Sequence, residues 1–98
     1  MAKIFSDIEK IQRNINELNK AINVYSEQEK QLQNIINELS GVWNSDAGEA
    51  FVQNLSRKKR LLELNREIME DIVKVTEKRY RLLMKIYSMF RGSGNGGF

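Results

Sequence analysis

The sequence predicts an all-α protein: two long antiparallel helices forming a helical hairpin, which packs as a four-helix bundle on dimerisation. Three observations carry this expectation. There is no proline, and the glycines are confined to Gly41, Gly48 and the last seven residues, so little breaks a helix over most of the 98 residues. Apolar residues recur at alternating three- and four-residue steps on both sides of the middle. The middle, ELSGVWNSDAGEAFVQNL from Glu38 to Leu55, holds the only tryptophan and both internal glycines.

Helix 1 is expected over about residues 4–40. Ile4, Ile8, Ile11, Ile15, Leu18, Ile22 and Tyr25, then Leu32, Ile36 and Leu39, form one narrow heptad seam. The seam is interrupted where Glu29 takes an apolar site. Ser6–Glu9 reads SDIE, a capping box that could open the regular helix, and Gly41 is placed to close it as a left-handed C′ residue. The turn is expected over 41–46.

Helix 2 is expected over about 47–91, with Asp46–Glu49 (DAGE) as its cap and Ser45 as the competing N-cap. Its apolar residues form more than one row. Leu61, Ile68, Val75, Leu82 and Met89 repeat every seven residues, as do Leu62, Met69, Leu83 and Phe90. Val73, Tyr80 and Tyr87 widen the face, with Ile72 and Ile86 beside them. A single antiparallel neighbour covers only part of this, so a partner is expected over Leu61, Leu62, Ile68, Met69, Ile72, Val75, Tyr80, Leu83, Ile86, Tyr87 and Phe90. That partner is a second copy, in a homodimer, or a similar hairpin. The Gly-rich segment 92–98 is expected to be a flexible tail.

The composition argues against catalysis. Without His or Cys, the commonest general base, the commonest nucleophile and the usual zinc ligands are missing, so neither an enzyme nor a cofactor or metal is expected. The formal charge of +3 is too mild to argue for nucleic acid. The run Arg57–Arg60 points around most of a helical turn and has no interleaved aromatic, so it reads as a solvated surface. Membrane insertion is not expected either, because Glu77, Lys78, Arg79, Arg81 and Lys85 interrupt the apolar C-terminal cluster. Residues 1–10 lack a signal-peptide h-region, so any export would use a route that reads no such signal.

Trp43 in a turn between two helices, followed by Ala47, Gly48, Ala50 and Phe51, resembles the WXG family of early-secreted-antigen-like proteins. The family's members are hairpins of about this length, handled by bacterial type VII secretion. The resemblance implies a turn motif made of Trp43, Asn44, Ser45, Asp46, Gly48 and Phe51. It also implies a stay in the bacterial cytoplasm before signal-peptide-independent secretion. The chain departs from the family signature W-x-G, having Trp43-Asn44-Ser45 with the glycine delayed to Gly48, and Asn44 is expected to take the left-handed conformation in glycine's place. The family's Y-x-x-x-[DE] mark after helix 2 is absent, since Met84 follows Tyr80 and Arg91 follows Tyr87 at that spacing. Tyr25 and Glu29 match it only inside helix 1. The departures imply a member that lacks the full export address. They favour resemblance to the small helical partners of LXG toxins, which bind the toxin's helical N-terminal domain and direct it to the type VII machinery. The alternatives are a self-sufficient secreted homodimer and a coiled-coil adaptor unrelated to secretion.

Overall fold

The computed structural model describes residues 2–96, with the side chains of residues 3–91. It is an all-α helical hairpin of α1 (Ala2–Val42) and α2 (Asp46–Gly96). The backbone divides into two compact units: Lys20–Met69, which contains the turn, and Met1–Asn19 with Glu70–Phe98.

Both helices outrun their predicted limits. α1 begins before Ser6, so the SDIE segment lies inside the helix instead of capping it. Nothing in residues 2–5 disfavours helix, and Phe5 packs against Tyr87 with ring centroids 6.2 Å apart, which anchors the first turns. α1 also runs through Gly41, and no described glycine has positive φ, so Gly41 is not a left-handed cap. The Trp43 N–H still donates to the Leu39 carbonyl at 2.9 Å, continuing the helical ladder past the glycine. α2 likewise extends beyond 91 through Gly96, five residues into the segment expected to be a tail. Without proline, nothing there removes a backbone donor. Residues 97 and 98 of that expected tail lie outside the described residues.

Each unit holds a thin apolar seam. Ile36 is buried in the turn-containing unit, and Ile8 and Val73 in the other; no other described apolar side chain reaches that burial. The inward residues of α2 recur at steps of three, four or seven through Leu55, Leu62, Met69, Val73, Tyr80, Leu83 and Tyr87, all buried or half-buried.

Glu29, the polar break in the α1 seam, is only 9% exposed. Arg66 of α2 meets it with two parallel hydrogen bonds, Nε to Oε2 at 2.6 Å and Nη2 to Oε1 at 3.2 Å. A guanidinium fork matches a carboxylate in this way, and it sets the axial register of the two helices in this unit. Sliding by one heptad would set the carboxylate opposite Val73 in one direction, which is costly for a desolvated charge, and in the other would exchange the guanidinium fork for the single ammonium of Lys59.

This pair makes a testable distinction. Arg66→Leu strands a carboxylate and should lower stability by about 1–3 kcal/mol. The double variant Glu29→Leu/Arg66→Leu should recover most of that loss, since apolar replacement of a desolvated ion pair is often neutral or better. Urea denaturation followed by helical circular dichroism measures both. A double variant no more stable than the single one would mean that the pair contributes net stability.

Candidate functional site

Three residues, Trp43, Asn44 and Ser45, join the helices. Ser45 is the N-cap of α2. Its Oγ accepts from the Gly48 N–H at 3.1 Å, and its carbonyl accepts the first helical bond, from Glu49 N–H at 2.8 Å. Asp46 is therefore the first helical residue rather than the cap. With Glu49 it places two carboxylates in the first turn, where the helix dipole favours them. Asn44 does not adopt the left-handed backbone expected of it, because no described non-glycine residue has positive φ. The α1 ladder ends at Trp43 and Ser45 starts the next, so the chain reverses through ordinary conformations.

The delayed glycine has a different use. A Cβ on Gly48 would lie 2.5 Å from the Trp43 carbonyl oxygen, 2.6 Å from indole Cγ and 2.8 Å from Cδ1. Gly48 is buried, and its bare backbone is the floor on which the indole rests. The Phe51 ring packs beside it, with centroids 5.5 Å apart and planes tilted by 43°. Trp43 nevertheless remains 41% exposed, and Phe51 and Val42 are exposed beside it. Ser40, Trp43, Asn44, Glu49, Val52 and Gln53 line an open recess of about 330 Å³ at this turn. The turn is thus both a plug and an outward-facing aromatic surface. Ser40, Val52 and Gln53 were not singled out by the sequence; helical spacing from Trp43 and Glu49 is the signal that places them there.

No family model matches the chain, and neither does any curated protein or solved structure.

The residues expected to meet a partner fall into two sets. Leu62, Met69, Tyr80, Leu83, Ile86 and Tyr87 are half-buried, whereas Leu61, Ile68, Ile72, Val75 and Phe90 are exposed. Leu61, Ile68, Val75, Leu82 and Met89, repeating every seven residues, are each 57–68% exposed. In the turn-containing unit Leu64 adds to the row, and in the other unit Ile72 does. Leu82 shares this row by its spacing, although it was not among the expected interface residues. Among the described residues, no helix is long and apolar enough to cross a membrane.

The basic run is partly neutralised by its own helix. Lys59 Nζ lies 2.9 Å from Glu63, and Arg60 Nη1 lies 3.0 Å from Glu63 and 3.8 Å from Glu67. The hydrogen bonds from Lys59 and then Arg60 hold the Glu63 carboxyl below the ordinary glutamate pKa. A depressed folded-state pKa stabilises above the unfolded value, and that contribution is lost as pH falls through the folded one.

Two outcomes follow from these contacts. Gly48→Ala should cost about 1–3 kcal/mol by overpacking and red-shift the tryptophan emission. Gly41→Ala, whose Cβ meets nothing within 4 Å, should instead stabilise by about 0.5–1 kcal/mol. Melting curves and emission spectra of the two variants decide this, and equal effects would remove the indole's floor as the reason for Gly48. For Glu63, a carboxyl titration by NMR should give a midpoint below the ordinary glutamate value. Lys59→Ala should move that midpoint up, and an unmoved midpoint would discount the contact.

Proposed function

We infer that this chain is a non-enzymatic type VII secretion factor resembling the WXG proteins. It binds the helical N-terminal domain of an LXG-type toxin in the bacterial cytoplasm and helps to direct it for export. The observation that carries this reading is the turn, where Trp43 stands half-exposed on Gly48 and against Phe51 between two long helices. An indole needed only as a plug would gain by deeper burial, since covering an aromatic side chain contributes about 1.5–3 kcal/mol. A half-exposed indole over a recess also offers a contact surface to a second protein. The uncovered row of α2 supports the other half of the reading, because a two-helix chain cannot cover both its apolar faces by itself.

The Tyr25–Glu29 match to the family's export mark fits a structural role instead. Glu29 is occupied by Arg66 across the seam, so it is not offered to an export receptor. In this reading the bound toxin contributes to the export address.

Purification of the tagged chain from its native host should recover a large protein with a helical N-terminal domain and a toxic C-terminal domain, identified by mass. Trp43→Ala should keep that co-purification while the toxin fails to reach the medium. Recovery of the chain alone would favour the homodimer. Equal loss of helicity and of binding in Trp43→Ala would reduce the tryptophan to a plug.

A further inference from the structure

Between Ile72 and Arg91, α2 carries an uncovered apolar row with a one-sided charge setting. Ile72, Val75, Leu82, Met89 and Phe90 are exposed there. The same stretch has Lys74, Lys78, Arg79, Arg81, Lys85 and Arg91 but only one acid, Glu77. Arg81 already lies 4.0 Å from that carboxylate. The α1 residues of this unit do not redress the balance, since Lys3, Lys10 and Arg13 offset Asp7, Glu9 and Glu17. The cations from Lys74 to Lys85 are exposed.

This charge setting disfavours a second copy as the occupant. Among the described residues, α1 exposes large apolar side chains only at Phe5, Val24, Ile35 and Val42, too scattered to cover a continuous row. A second copy would therefore have to use its own α2 row. Symmetric pairing sets one patch against itself, so cations face cations, and juxtaposed like charges oppose association. Extending the overlap to the heptad row from Leu61 sets Glu67 and Asp71 near Arg81 and Lys78 of the other copy, so the repulsion is specific to self-pairing through the Ile72–Phe90 row.

We propose that the row from Ile72 to Phe90 is the docking face for an amphipathic helix of a different protein, whose apolar heptad is flanked by Asp and Glu. The row spans roughly 27 Å of helix, so the complementary segment is about five turns long. Apolar contact supplies the burial, and the acidic flanks supply register and discrimination. The inference rests on the partner-binding reading above and adds to it the chemistry of the partner's contact face.

The full chain is titrated with two synthetic helical peptides of about 28 residues, both with Leu and Ile at the a and d positions. One has Glu at every e and g position and the other Lys, and in each peptide the like charges oppose self-pairing. Fluorescence anisotropy should show the Glu peptide binding about tenfold or more tightly than the Lys peptide at about 50 mM salt, with the gap narrowing near 500 mM. Val75→Ser/Leu82→Ser, at exposed sites that leave helicity unchanged, should abolish the preference. Lys78→Glu/Lys85→Glu, which leaves four cations against three acids in the stretch, should narrow it to about twofold or less.

Equal binding of the two peptides, or binding of neither, overturns the proposal. If the chain then sediments as a dimer broken by Val75→Ser/Leu82→Ser, the face belongs to a second copy. If it binds phosphatidylglycerol vesicles in a way those substitutions abolish, the face belongs to an anionic membrane. A toxin that still co-purifies when the peptides fail leaves the secretion reading standing without this face. Discrimination between the peptides without a co-purifying toxin removes the named partner and keeps the acidic-flanked helix.

Discussion

A helix laid beside one other helix can have only one of its stripes covered, and that geometric limit governs the rest of this protein. α1 has one narrow apolar stripe, which the arrangement satisfies. α2 has two, and the second stays in solvent: Val75 is exposed while Val73, two residues away, is buried. The two side chains point in directions about 160° apart on the helix, so no rotation of α2 hides both. Few side chains are deeply buried in consequence, and the hairpin depends on long runs of half-covered contacts.

Such a seam has little intrinsic register, because heptads can slide on heptads at small cost. Glu29 and Arg66 resolve this in their unit by placing the one desolvated acid of α1 opposite an arginine fork. In the other unit, Phe5 against Tyr87 holds the outer end of the helices together. At the turn, the reversal depends on the absence of a side chain at Gly48 and on the Ser45 cap. Each anchor uses a different chemistry. All three are local, which leaves the outward face of α2 free of structural duties and available to bind.

The charge distribution complements that availability. Where the basic run Arg57–Arg60 lies, Glu63, one turn later on the same helix, absorbs part of it. Beyond Ile72 the cations have a single acid among them, beside the exposed apolar residues Val75, Leu82, Met89 and Phe90. An interface of this kind uses apolar area for affinity and charge for partner choice.

The all-α class, the two-helix order, the position of the turn and the presence of two rows on α2 were legible in the sequence, because helical periodicity and the lack of proline are local properties. Several features required the tertiary structure. Spacing alone could not say which α2 row faces α1, since Leu61 and Leu62 are equally apolar and only docking separates them. Glu29 read as a defect in a seam because its partner lies 37 residues away. Gly48 read as a displaced signature glycine, whereas its purpose is close approach of an indole, a relation between two residues that no single-residue preference encodes. The same gap explains the errors at Gly41 and Asn44. Their conformational preferences are weak tendencies, and a helical ladder that continues to Trp43 and a serine cap that begins two residues later leave no left-handed residue to be needed.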